Sequence, residues 1–295
     1  MHVPAGAVDA RNLKLVIQYD GGRYAGWQSQ PDYGPTVQGV LEEATEKIVR
    51  HPVQVQGAGR TDRGVHARGQ AANFATSREI PSRNLLLAIN THLPSDIAVR
   101  ELKDAPESFN ARFDAVGKHY RYTIFRGAIR DAFVGRWSAR YSGPLNVEAM
   151  REAGARLEGC FDFASFATRS NSPPSTTERT VYRVNVRERG PFLSIDVVGR
   201  SFLYNMVRSM AGTLLEVGRG KRAAKEIASV LEAKDRVAAG PTAEAQGLCL
   251  IEVFYDENSL RRSLDEIDDP EAFDCFPFAI PAPSGMDLPD REGIP

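Results

Sequence analysis

The chain of 295 residues is 42% hydrophobic and 25% charged, the balance of a soluble globular protein with room for one large domain or two ordinary ones. No run nears the roughly 18 apolar residues of a membrane-spanning helix, and residues 1–11 lack a secretory leader's basic start and apolar stretch, which points to a cytoplasmic protein away from the membrane. The net charge of −1 hides an asymmetry: residues 256–295 carry 11 acidic side chains against three arginines, a balance of −8, leaving a body of +7 that calls for an anionic partner.

Leu13 to Tyr19 (LKLVIQY) is rich in β-formers and stops at Asp20-Gly21-Gly22, a strand followed by a turn. Thr36 caps a helix whose Val37, Val40, Leu41, Ala44 and Ile48 fall on one stripe. Short strands at 53–57 and 70–75 flank a glycine-rich loop, SRNLLLAINTH is a second helix, and Ile97 to Lys103 is another strand. The order is βαββαβ, and it recurs. A strand at His119 to Phe125 is followed by a helix capped by Asn146, with Gly159 past its end. A hairpin turns at Arg189-Gly190, helices follow at about 202–217 and 222–234, and Gly247 to Tyr255 closes as a strand. Two such sets predict an α+β fold of two ferredoxin-like halves, residues 12–113 and 114–255. Their sheets would join into one extended, mainly antiparallel sheet with helices on one side and a central cleft. The proline-rich acidic segment 256–295 reads as a largely disordered tail, the alternative being that Phe273, Phe276 and Phe278 pack it onto the body.

Chemistry concentrates in Gly57 to Gln70 (GAGRTDRGVHARGQ), the loop between the second and third strands. Glycines there permit close approach to a ligand, and Asp62 between Arg60 and Arg63 is expected to stay ionised. An isolated Thr-Asp-Arg-Gly is good β-turn chemistry; the surrounding glycines, arginines, His66 and Gln70 exceed what a turn requires. On the strand HYRYTIF, Tyr120, Tyr122 and Ile124 share one face. At least one of these tyrosines should be core, and a ring facing a basic cleft is what stacks an extruded base. In SFLYNMVRSMAGTLLEV, Leu203, Val207, Met210, Leu214 and Val217 line one side, with Arg208 at its border. An arginine beside so much apolar surface calls for a carboxylate, and Asp62 is available. The single loop carboxylate argues against a glycosidase, and phosphate-loop, dinucleotide and metal-ligand spacings are absent. Cys160 and Cys249 read as small buried residues, and His66 as a residue that structures the loop.

The stretch GRTDRGVHARGQ closely resembles the signature of the tRNA pseudouridine synthase A family. The resemblance continues through YDGGRYAGWQSQ, TVQGVLE, FNARFDAVGKHYRY, RTVYRVNV, FLYNMVRSMAGTLLEVGRG and GPTAEAQGLCLIEVFY, spanning residues 13–255 in order. It implies the pseudouridine synthase fold and isomerisation of uridine to pseudouridine at positions 38, 39 and 40 of the tRNA anticodon stem-loop. It further implies a homodimer in which one tRNA contacts both subunits, and no cofactor. Carried over, Asp62 is the catalytic aspartate, Arg60 the arginine that helps extrude the base, Tyr120 the stacking tyrosine and Arg208 the carboxylate's partner. Arg63 and His66 join Arg60 and Tyr120 as substrate-contacting candidates. Two other classes compete: a catalytically silent RNA-binding protein, which loss of Asp62 would mark, and a nucleoside-cleaving hydrolase, which would release free base.

Overall fold

Along residues 11–19 every second side chain is apolar, and the burial alternates with it: Leu13, Leu15 and Ile17 are fully buried. In the computed structural model, which describes residues 10–28, 34–168 and 174–269, this segment is strand β1 (Arg11–Tyr19). It is followed by α1 (Val37–Val49), β2 (Gln56–Gly57), β3 (His66–Thr76), α2 (Ser82–His92) and β4 (Ile97–Ala105). The second half runs β5 (Gly117–Phe125), β6 (Ala139–Arg140), α3 (Val147–Ala155), β7 (Gly159–Asp162), β8 (Glu178–Arg189) and β9 (Phe192–Gly199). It ends with α4 (Met206–Gly218), α5 (Ile227–Ala233), β10 (Leu248–Phe254) and α6 (Glu257–Asp268). Both expected caps form: Thr36 accepts from the Gly39 amide at 3.2 Å and Asn146 from the Ala149 amide at 3.0 Å.

The described strands build one sheet in the order β4-β1-β3-β10-β5-β9-β8-β7, with β2 added to β3 and β6 to β5. Pairing is antiparallel except for β3–β10 and β5–β6. The β3–β10 pair is the seam between the sets of strands, registered at His66 with Cys249 and Ala67 with Leu250. Following the register outward, Tyr19, Ala67, Leu250, Tyr120 and Val197 share one face. The apolar sides of α1 to α5 pack with that face in a single cluster crossing the seam. His66, Cys249, Arg121 and Asp196 occupy the other face.

One expectation fails here. Residues 257–268, expected to begin a largely disordered tail, form α6. Asp256 caps it by accepting from the Ser259 amide at 2.8 Å, and Leu260, Leu264 and Ile267 recur at helical spacing. They pack with Val198 and Phe254 on the second face, so helices lie on both sides of the sheet. Phe273, Phe276 and Phe278 lie outside the described residues.

Candidate active site

The glycine-rich loop is anchored along its length. The Ala58 amide donates to Ala71 O at 2.7 Å, Gln70 Nε2 to Gly59 O at 2.7 Å, and the Trp27 amide to Thr61 O at 3.0 Å. The Thr61 and Tyr19 hydroxyls are 2.7 Å apart. The Val65 amide closes a turn on Asp62 O at 3.1 Å, and Gly64 takes the left-handed φ of 79° that the turn needs. The turn chemistry and the site are therefore the same residues. Asp62 projects from a fixed backbone.

The carboxylate's partner comes from the other half. Asn205, in the left-handed region with φ of 60°, precedes the first turn of α4. Arg208 on that turn donates Nε to Ala243 O at 2.8 Å and Nη1 to Asn205 Oδ1 at 2.7 Å. The same Nη1 reaches Asp62 Oδ2 at 3.2 Å, each side chain being 17% exposed. Burial pushes the Asp62 carboxyl above its ordinary value, and Arg208 works against that rise without cancelling it. This corrects the expectation that Arg60 and Arg63 hold Asp62 ionised. Both arginines are exposed, where water screens them.

Tyr120 is 7% exposed and meets Phe202 edge-on, with centroids 5.2 Å apart at 85°. Burial raises its hydroxyl pKa, and the nearby Asp62 carboxylate adds to the rise, so ring and carboxylate are electrostatic neighbours. Tyr122 is the core tyrosine: it is fully buried and donates to Glu244 O at 3.0 Å. The structure brings together Asp62, Arg208 and Tyr120. Arg60 and Arg63 flank them at the surface. His66, expected among the substrate contacts, points to the opposite face, where its Nδ1 lies 3.1 Å from the Gly21 amide and 3.2 Å from Asp20 Oδ1. Cys249 is buried as expected, but Cys160 is exposed because it sits on the short edge strand β7.

Sequence reasoning missed three supports of the site: the Tyr19 hydroxyl, the left-handed Asn205 and Lys118, whose Nζ donates to Ala58 O at 2.8 Å. Lys118 carried a signal, since it shares the strand face of Tyr120 and Tyr122. The others are tertiary and local-backbone effects without a pattern of their own. An ionisable carboxylate opposite a fixed guanidinium, beside an aromatic ring, can act as nucleophile or base on a substrate that stacks on the ring.

The family profile described as tRNA pseudouridine synthase matches residues 15–114 and 153–256. Asp62 and Arg208 fall inside the matched segments and Tyr120 between them. The chain is 49% identical over 245 residues to tRNA pseudouridine synthase A of Geobacter sulfurreducens, covering 83% of this chain and 100% of the relative. It is 46% identical over 248 residues to the protein of that name from Geobacter sp. strain M21, covering 84% and 100%. A third, from Moorella thermoacetica, is 46% identical over 244 residues, covering 82% and 99%.

Proposed function

This chain belongs to the tRNA pseudouridine synthase family, and from that premise we propose that it acts on positions 38, 39 and 40 of the anticodon stem-loop with Asp62 as its catalytic carboxylate. The enzyme is an isomerase: the N1–C1′ bond breaks, the uracil turns, and C5 bonds to C1′. The C5 proton is lost and N1 gains one, so composition is unchanged. No oxidant, reductant or second substrate enters that balance.

The observation that carries the residue assignment is the Asp62–Arg208 pair closed between the two halves, 3.2 Å apart. An ionised carboxylate serves either as nucleophile at C1′ or as base at C2′, and both roles require the charge that Arg208 supports. Tyr120 stacks on the freed uracil and keeps it from diffusing away. Arg60 enters where the base leaves the stack, an extrusion that costs a few kcal/mol and is offset by pocket contacts. Arg63 adds a phosphate contact, and His66 supports the loop through the Asp20–Gly21 turn. The functional unit is a homodimer that shares each tRNA, working in the cytoplasm.

Incubation with unmodified tRNA followed by carbodiimide-dependent primer extension tests this reading. Stops at positions 38 to 40 with unchanged tRNA mass are expected. Stops elsewhere would refute the site assignment, and release of free uracil would favour a hydrolase.

A further inference from the structure

Lys118 lies two residues before Tyr120 on β5 and faces the same side of the sheet. From there its side chain crosses the seam and donates to Ala58 O at 2.8 Å. Ala58 is itself tied to β3 through its amide, and Asp62 follows four residues later. Gly59 leaves room for the contact, since a Cβ there would stand 3.0 Å from Nζ. Among the described residues the Lys118 ammonium meets a carbonyl but no carboxylate. Holding an ammonium there against desolvation, without a counter-charge, is costly for the fold alone.

We infer that Lys118 is a positioning residue of this reaction, clamping the loop that carries Asp62 to the strand that carries Tyr120. The inference rests on Asp62 and Tyr120 doing the chemistry. Two side chains then span the halves beside the loop: Arg208 fixes the carboxylate, and Lys118 fixes the backbone behind it. Burial pushes the Lys118 amine down to about 8, with the like charge of Arg112 adding to the drop. The charged donor is the stronger one, so the clamp weakens as pH rises through about 8. The same depression means that the unfolded chain holds this proton more tightly than the fold does. The charge therefore opposes folding below pH 8, and its removal should not lower stability at neutral pH.

Single-turnover rates on unmodified tRNA between about pH 6 and 10 separate positioning from scaffolding. At pH 7 Lys118→Met should lower the rate by about ten- to a hundred-fold, the scale of a small misplacement. Its tRNA affinity should stay within about two-fold and its Tm should be undiminished. Lys118→Arg should restore most of the rate. The wild-type rate should fall above pH 8, while Lys118→Arg, whose guanidinium does not titrate there, should hold level. Full activity in Lys118→Met, or the same alkaline fall in wild type and Lys118→Arg, would overturn the clamp. A tRNA-free measurement keeps the clamp testable apart from the activity. Trp27 lies over Gly57 and is one of two tryptophans, so Trp137→Phe leaves it as a loop reporter. Acrylamide quenching of Trp27 should rise with a midpoint near pH 8 and stay flat when Lys118→Arg is added. Identical quenching curves would refute the clamp even in an active enzyme. An inactive wild type with the expected curves would instead refute the roles of Asp62 and Tyr120.

Discussion

The proposed chemistry needs Asp62 ionised in a place that resists ionisation. Burial raises its pKa and Arg208 restrains the rise, so turnover should fall as pH drops through a value above the ordinary aspartate range. Arg208→Gln removes the restraint. Its pH–rate profile should show the acid limb displaced to higher pH, together with a lower plateau, and an unmoved limb would mean that Arg208 does not act on the carboxylate. The proposed stacking role of Tyr120 separates from its packing role by two substitutions. Tyr120→Phe keeps the ring against Phe202 and should bind tRNA normally, whereas Tyr120→Ala should lose about 1–3 kcal/mol in a tRNA titration. Equal affinity would make Tyr120 a core residue only. Asp62 and Arg208 were legible as partners because a charged residue bordering an apolar stripe needs an opposite charge. The direction of the Asp62 shift was not, because adjacency to Arg60 and Arg63 in sequence says nothing of which side chains water screens.

Elements whose own pattern decides them were legible. SRNLLLAINTH is helical over its full length, and the β1, β4, β5 and β10 strands fall within two residues of the expected ends. Elements governed by backbone conformation or composition were not. The expected helix from 202 begins at Met206, since Asn205 adopts a left-handed φ that no helix interior accommodates. Strand β3 begins at His66, earlier than the glycines suggest, because the turn closed at Gly64 is tight. Helix α6 is obscured by the acidic charge of residues 256–268, while its apolar side chains recur at helical spacing. Leu260 and Ile267 are almost fully buried against the second face. Leu260→Ala or Ile267→Ala should each cost roughly 2–5 kcal/mol in urea unfolding. Turnover at low temperature should persist, because α6 and Asp62 lie on different sides of the sheet. A cost below about 0.5 kcal/mol would mean that α6 adds little to the fold.

At the scale of the molecule, the two faces of the sheet do different work. The face of Tyr120 carries the candidate chemistry; beneath it, Asp196 gathers two arginines and a histidine. His119 Nε2 and Arg121 Nε each lie 2.7 Å from its Oδ1, and Arg187 Nη2 lies 3.3 Å from Oδ2. Burial opposes ionisation of Asp196, but Arg121 and His119 outweigh it and hold the carboxyl well below the usual carboxylate range. A depressed carboxylate contributes stability above its unfolded value and loses that contribution as pH falls toward its folded value. Asp196→Asn should therefore destabilise the protein by about 3–5 kcal/mol at pH 7, since it strands Arg121 and Arg187. The gap to wild type should narrow below about pH 4, and a gap independent of pH would show that shape, not charge, is lost. Arg187 also donates to Asp269 O at 3.3 Å and Asn185 to Ile267 O at 2.8 Å, so the cluster docks the end of α6. Element order and a single joined sheet could be read from the chain, whereas this buried cluster depends on cross-strand register that local patterns do not contain.

If Asp62 performs the isomerisation, the reaction stops when its carboxylate loses its charge. Asp62→Asn retains the shape of the side chain and removes its charge. Unmodified tRNA is incubated with wild type and with this variant, and carbodiimide-dependent primer extension is run on both alongside a binding titration. Stops are expected at positions 38 to 40 with wild type and none with Asp62→Asn, at nearly equal tRNA affinity. Stops at those positions with the variant would contradict that role of Asp62.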